Sequence, residues 1–205
     1  MSFTLWFMGR PASGKSTLAK QVENYLREKG LQVENLDGDD LRTKFHPDLG
    51  FSRADRKINN RRTAYIAQLL NRNDIPTIVA MITPFRDAQQ QAREIVAEEG
   101  DFFLVYVKAS TDACAERDPK GLYADAEAGK IENFTGVNHP FQEPHDPDVI
   151  VDTEESSVEE CLEEILTAIE GEVLDSEPIE DYEFDITRDQ EAEIESRLQD
   201  MGYLE

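Results

Sequence analysis

Residues 9–16, Gly9-Arg10-Pro11-Ala12-Ser13-Gly14-Lys15-Ser16, match the pattern GxxxxGK[ST] in full, with Thr17 directly after. A backbone that curls around phosphate oxygens must turn its N–H groups inward, and Gly9 and Gly14 permit that curl. Lys15 then reaches the β- and γ-phosphates, and the Ser16 hydroxyl is placed to ligate Mg²⁺. The helix that follows adds the positive end of its dipole. This loop implies a nucleoside triphosphate without separating a kinase from a GTPase or an ATPase. A second cluster, Asp37, Asp39 and Asp40 around Gly38, offers what phosphoryl transfer to an alcohol requires. One carboxylate can accept the proton of the attacking hydroxyl while another holds Mg²⁺ through water. The same residues equally suit an Asp-Gly turn with a helix N-cap. Farther on, Arg42, Arg53, Arg56, Lys57, Arg61 and Arg62 fall within 21 residues, with Asn59 among them and Phe51 just before. Arg56 and Asn59 are three apart and share one helix face. On an acidic chain this cluster reads as a pocket for a second anionic group. Phe51 suits either stacking on a base or packing in the core.

The elements that must position these groups follow from hydrophobic patterning. Phe3 to Met8 is an uncharged apolar run, then comes the Gly-rich turn, then a helical stretch from Ser16 to Lys29. Leu31 to Leu36 reads as a strand ending in the aspartates, Arg53 to Asn71 as a helix, and Ile75 to Ile82 as a buried strand. Arg86 to Glu99 is a helix, Phe102 to Val107 a strand, Val149 to Val151 a short strand, and Ser156 to Ile169 an amphipathic helix. Strands apolar throughout and separated by helices indicate an α/β fold with a parallel sheet covered on both faces. Its ligand site is expected outside the carboxyl ends of the strands, where every motif above falls. Arg117 to about Pro147 is a long stretch of mixed polarity containing Gly121, Gly129 and Gly136. A segment this long in a compact domain is expected to be a closing lid that excludes water.

Several separated blocks, GRPASGKST, LDGDDLR, LGFSRADRKINNRR, ITPFR and ERDPKGLYADAEAGKIENFTGV, together resemble the adenylylsulfate kinase family of P-loop small-molecule kinases, over approximately residues 1–170. The resemblance implies transfer of the ATP γ-phosphate to the 3′-hydroxyl of adenosine 5′-phosphosulfate, with Mg²⁺, giving 3′-phosphoadenosine 5′-phosphosulfate and ADP. It implies a nucleotide site of Gly9 to Thr17 with Arg117 near the ATP adenine, and a catalytic set of Lys15, Asp39 and Thr83. Arg42, Arg56 and Asn59 would meet the acceptor's phosphosulfate end, and Asp39 would lie nearest the attacking hydroxyl. Phe51 and Phe134 would surround the acceptor's adenine, Lys120 would come from the lid, and Asp37 and Ile82 would also belong to the acceptor site. Family members are commonly homodimers, so a homodimer is expected. Three departures stand out. Asp40 replaces the family's usual Asn and is expected to add negative charge close to the triphosphate. Thr83 replaces Ser while keeping the hydroxyl that some members phosphorylate, and Arg10-Pro11 is an unusual pair, with Arg10 expected to reach ligand or solvent.

The chain of 205 residues has 21 Lys+Arg against 44 Asp+Glu, a formal charge of −23. That balance argues against a duplex-binding or membrane-surface protein, so neither nucleic acid nor membrane is an expected partner. Residues 1–130 hold 19 basic and 19 acidic side chains, so the whole imbalance lies in the last 75 positions. The first part is therefore free to bind anions. No apolar run approaches the roughly 20 residues needed to span a bilayer, and the start lacks a signal-peptide pattern, so a cytoplasmic protein is expected. Cys114 and Cys161 lie far apart and read as reduced structural thiols. Residues 171–205 form an acidic extension in which Thr187 with Gln190 makes a capping box, and Ile194, Leu198 and Met201 form an apolar stripe. A short amphipathic helix docked on the dimer or on a partner is expected there, with a largely disordered acidic tail as the equal alternative.

Overall fold

The computed structural model describes residues 2–169; the capping box and apolar stripe expected in the 171–205 extension lie outside these described residues. In chain order the elements are β1 (Phe3–Met8), α1 (Lys15–Glu28), β2 (Glu34–Asp37), α2 (Gly38–Lys44), α3 (Arg53–Asn71) and β3 (Thr77–Ala80). After them come α4 (Arg86–Val96), β4 (Asp101–Lys108), α5 (Thr111–Arg117), α6 (Leu122–Glu127), β5 (Val149–Asp152) and α7 (Val158–Ile169). The five strands form one parallel sheet in the order β2-β3-β1-β4-β5, with Leu5 of β1 opposite Ile78 of β3 and Phe103 of β4.

β1 shows why both faces must be covered. Successive side chains of a strand point to opposite faces. Phe3, Leu5 and Phe7 enter one core with Leu18, Val22 and Leu26 of α1 and Ile165 and Ile169 of α7. Trp6 and Met8 enter a second core with Ala64 and Ala67 of α3 and Ile95 and Val96 of α4. A fully buried Phe or Leu contributes about 1.5–3 kcal/mol by leaving water, so a charge anywhere in β1 would disrupt one core or the other. Cys114 and Cys161 are both buried and unpaired, as expected.

Two helices emerge that the hydrophobic pattern did not announce. α2 and α5 are seven residues each and bury only Leu41 and Cys114, respectively, so neither carries an apolar period long enough to detect. Their signals are caps: the Asp37 side chain accepts from the Asp39 and Asp40 amides, and the Ser110 hydroxyl accepts from the Ala113 amide. β3 is also shorter than its apolar run. Pro76, which has no N–H, precedes it and offers only its carbonyl to Glu34. Met81 still donates its N–H to the Phe7 carbonyl; beyond it the chain leaves the ladder, and Met81, Ile82, Thr83 and Pro84 line a cavity at the carboxyl end of the sheet.

Candidate active site

The loop after β1 is shaped by two glycines for different reasons. A Cβ on Gly9 would lie 2.4 Å from the Val107 carbonyl oxygen and 2.7 Å from Ser13 Oγ, so only glycine lets the chain turn this close to β4. Gly14 has room for a side chain but sits at φ +96°, the left-handed start of α1. The Lys15 side chain curls back inside the loop, donating to the Arg10 carbonyl oxygen and to Ser13 Oγ. Burial pulls its pKa down to about 8, against the partly restoring charges of Cys114, Asp39 and Asp37. A desolvated ammonium in a ring of amides is prepared for phosphate oxygens.

Ser16 donates its hydroxyl to Asp37 Oδ2 at 2.8 Å, while Asp37 Oδ1 accepts the Asp39 amide at 2.9 Å. Both oxygens of Asp37 are therefore fixed, so the aspartate is at once the helix cap and the carboxylate beside the metal-type hydroxyl. Asp39 projects outward and pairs with Lys120 of the 117–147 segment, Oδ2 to Nζ 2.6 Å. Asp40 corrects an expectation: its side chain turns away from the phosphate loop and pairs with Lys44 one turn on, 2.8 Å apart, so it brings no charge to the triphosphate.

Across the cavity stand the cations. The Arg42 guanidinium donates to the Gly50 carbonyl at 2.6 Å and lies 4.6 Å from the Phe51 ring centroid. Arg56 donates to the carbonyls of Phe51 (3.1 Å) and Asn133 (2.7 Å) and approaches the same ring from 5.5 Å. Phe51 is 55% exposed, which excludes the core reading and leaves a ring held between two cations at the cavity wall. Burial, then the neighbouring Arg42 charge, push the Arg56 pKa down to about 10. Among the described residues neither arginine has a carboxylate within 4 Å. Arg56, unlike the half-buried Arg42, is buried as well; a buried cation without a counter-charge is costly, and an anionic ligand removes that cost. Asn59 lines the same wall, its Oδ1 2.7 Å from His46 Nδ1, a buried histidine that orients the amide and carries no sequence motif.

The 117–147 segment joins the two sides. Phe134 packs edge-on against Tyr123 with centroids 4.9 Å apart, and the Tyr123 hydroxyl donates to the Pro11 carbonyl in the phosphate loop. Arg117 donates to Thr153 Oγ1 at 2.9 Å and to its carbonyl at 2.6 Å, on the far rim. Lys15, Ser16, Asp39, Arg56, Ile82 and Phe134 thus border one cavity of about 1190 Å³. That exceeds the ≈300–1,000 Å³ usual for a single small ligand and leaves room for two nucleotides.

One further expectation is corrected. The Arg10 guanidinium leaves the cavity, donating to the Ala109 carbonyl at 2.9 Å, stacking 4.7 Å from the Phe141 centroid and pairing with Glu143. It braces the back of the loop, and only its carbonyl serves the site. Thr83 lines the cavity but is buried, and its Oγ1 accepts the Trp6 indole N–H at 2.9 Å. That bond ties the hydroxyl to the core side of the cavity wall.

Residues 1–152 match the family model for adenylylsulphate kinase. The adenylyl-sulfate kinase of Halothermothrix orenii is 46% identical over 167 residues, 82% of this chain and 89% of that protein. The chain belongs to the adenylyl-sulfate kinase family. Among solved structures, the Mycobacterium tuberculosis APS kinase CysC in complex with AMPPNP and APS aligns at TM-score 0.80 and 41% identity, covering 82% of this chain and 98% of that one. The hexameric APS kinase from Thiobacillus denitrificans aligns at 0.64 and 28% identity, over 84% of this chain and 29% of its own. Within the adenylyl-sulfate kinase frame, Tyr123, His46 and Asn133 are supporting groups that sequence reading missed. Their contacts, an inter-segment hydroxyl bond, an imidazole–amide bond and a backbone carbonyl, leave no local spacing signal.

Proposed function

We propose that this kinase transfers the γ-phosphoryl group of ATP to the 3′-hydroxyl of adenosine 5′-phosphosulfate, giving 3′-phosphoadenosine 5′-phosphosulfate and ADP. The observation that carries the reading is the pair of guanidiniums without carboxylate partners, Arg42 and Arg56, facing the phosphate loop across one cavity. A hydrolase needs only the loop. A second set of cations, with Phe51 and Phe134 beside it, suits an acceptor that carries both an anionic end and a base.

The geometry supports a division of roles. Gly9 to Thr17 cradle the triphosphate, and Lys15 neutralises charge on the β- and γ-oxygens. Ser16 Oγ and the Asp37 carboxylate, 2.8 Å apart, are hard oxygen donors of the kind Mg²⁺ takes. Mg²⁺, when bound, draws charge from the β- and γ-phosphate oxygens. Asp39 accepts the proton of the 3′-hydroxyl as its oxygen bonds to the γ-phosphorus and the bond to the ADP oxygen breaks. Lys120, paired with Asp39 here, is released toward the transferring group once the acceptor hydroxyl takes the carboxylate. Residues 117–147 act as the lid, and Arg42, Arg56 and Asn59 hold the phosphosulfate end. Because Asp40 turns away toward Lys44, its replacement of the family's usual Asn is no reason to expect a different acceptor.

Residues 1–170 constitute the kinase domain and 171–205 an accessory extension. The chain works as a homodimer in the cytoplasm; among the described residues no helix is long and apolar enough to cross a membrane. The test is an acceptor panel with Mg-ATP: adenosine 5′-phosphosulfate, AMP, ADP and gluconate. Turnover with the first alone is expected, and turnover with gluconate alone contradicts the reading.

A further inference from the structure

Tyr123 reaches toward both walls of the cavity from within the 117–147 segment. It is 1% exposed, and its backbone is fixed at the start of α6, where the Asp118 carboxylate accepts the Leu122 amide at 2.8 Å and the Tyr123 amide at 3.0 Å. The ring belongs to a small apolar cluster with Ala109, Cys114 and Phe134, against which Ala12 of the phosphate loop packs. The hydroxyl donates to the Pro11 carbonyl oxygen at 3.0 Å. In a planar trans peptide the C=O and the following N–H point in opposite directions. Drawing the Pro11 oxygen toward this cluster therefore turns the Ala12 N–H away from it, into the curl that such a loop forms around phosphate oxygens.

That orientation is not what Ala12 would adopt unaided. Its φ is +59°, in the left-handed region where a Cβ crowds the backbone. Turning the Pro11–Ala12 peptide over by half a rotation would return φ to the ordinary negative range. It would also present the Pro11 oxygen to the phosphates in place of the Ala12 N–H, a repulsive exchange. Something must hold the strained orientation, and the Tyr123 hydroxyl is the observed tie. The next free carbonyl of the loop is held in the same way from the sheet: Thr153, directly after β5, donates its Oγ1 to the Ser13 oxygen at 3.1 Å. We propose that Tyr123 is a positioning residue for the donor nucleotide, its hydroxyl locking the Pro11–Ala12 peptide with the N–H toward the triphosphate. Its ring, edge-on to Phe134, supports the acceptor wall, and that second half rests on the functional reading above. The phosphate cradle is then complete only while α6 is in place.

The experiment compares wild type with Tyr123→Phe, Tyr123→Leu and the double variant Ala12→Gly with Tyr123→Phe. It measures KM for ATP and for adenosine 5′-phosphosulfate, the calorimetric affinity for Mg-ADP and for an unhydrolysable ATP analogue with Mg²⁺, and the melting midpoint. Tyr123→Phe keeps the ring and removes the donor, so nucleotide affinity should fall about tenfold and the ATP KM rise to match, while the acceptor KM holds. Tyr123→Leu, which loses the ring as well, should raise both KM values. Glycine at position 12 carries no penalty at positive φ, so the double variant should recover part of the lost nucleotide affinity. Unchanged nucleotide affinity in Tyr123→Phe overturns the proposal, whatever happens to the melting midpoint, because the hydroxyl is then structural only. An equal rise in the acceptor KM overturns it too, and so does a double variant that recovers nothing. Wild-type enzyme that forms no 3′-phosphorylated product, with nucleotide affinity still weakened in Tyr123→Phe, sinks the acceptor reading and leaves the role of the hydroxyl standing.

Discussion

The two walls of the cavity are built on opposite plans. On the donor side almost every polar group is already committed. Lys15 is folded onto the Arg10 carbonyl, Ser16 onto Asp37, Asp37 onto the start of α2, and Gly9 is pressed against β4. On the acceptor side the cations lack acidic partners: Arg42 and Arg56 hold only backbone carbonyls and the Phe51 ring, which is itself more than half exposed. A triphosphate binds a preformed cradle, which costs little reorganisation. The acceptor instead completes a wall that is unfavourable when empty, so its binding energy is available to close the lid over the reaction. The donor wall determines whether chemistry occurs, and the acceptor wall determines on what.

This contrast can be broken most severely at its donor side. Lys15→Ala removes a preorganised charge from the γ-phosphate, and kcat should fall on the order of 10³-fold in an ADP-release assay. A loss below tenfold would deny the loop its role. Asp39→Asn should lower kcat by about 10²-fold with little change in either KM, because only proton transfer is removed. On the acceptor side, Arg56→Lys keeps a charge but loses the planar fork that spans Phe51 and Asn133. The acceptor KM should rise about tenfold while the ATP KM holds. A matching rise in the ATP KM would erase the distinction between the walls.

A gentler test uses pH. Lys15 has a pKa near 8 in the free protein, and a bound triphosphate favours its charged form. Binding Mg-ATP therefore takes up a proton above about pH 8, and affinity declines as pH rises through that value because the bound state holds the extra proton. Calorimetry in two buffers of different ionisation enthalpy reads that proton directly. The smallest effect belongs to Lys120→Ala: its pair with Asp39 joins two largely exposed side chains, at 64% and 80%. The pair contributes at most ~1 kcal/mol to stability, so the melting midpoint should barely move while kcat falls.

The same contrast explains what could be read in advance. The donor wall is local in sequence: Gly9 through Ser16 is one uninterrupted motif on a strand–turn–helix, and its geometry follows from residue types alone. The parallel sheet was equally legible, because β1 and β4 are apolar at nearly every position. The acceptor wall brings together Arg42, Phe51, Arg56, Ile82 and Phe134 from four separate stretches of chain. Periodicity placed Arg56 and Asn59 on one face, but only the family resemblance connected them to Phe134. Arg10 and Asp40 were misread because spacing locates a Cα without giving the direction of a long or exposed side chain, and each found a nearer partner in Glu143 or Lys44.

The central claim is that one cavity holds ATP on a preformed wall and an anionic nucleotide on an incomplete one, with the hydroxyl of the second beside Asp39. It is tested most directly by incubating the full chain with γ-labelled ATP, Mg²⁺ and adenosine 5′-phosphosulfate, then locating the label. The account predicts label on the 3′-oxygen of an adenosine 5′-phosphosulfate product, absent in Lys15→Ala. Label released only as inorganic phosphate, at a rate indifferent to adenosine 5′-phosphosulfate, would contradict it.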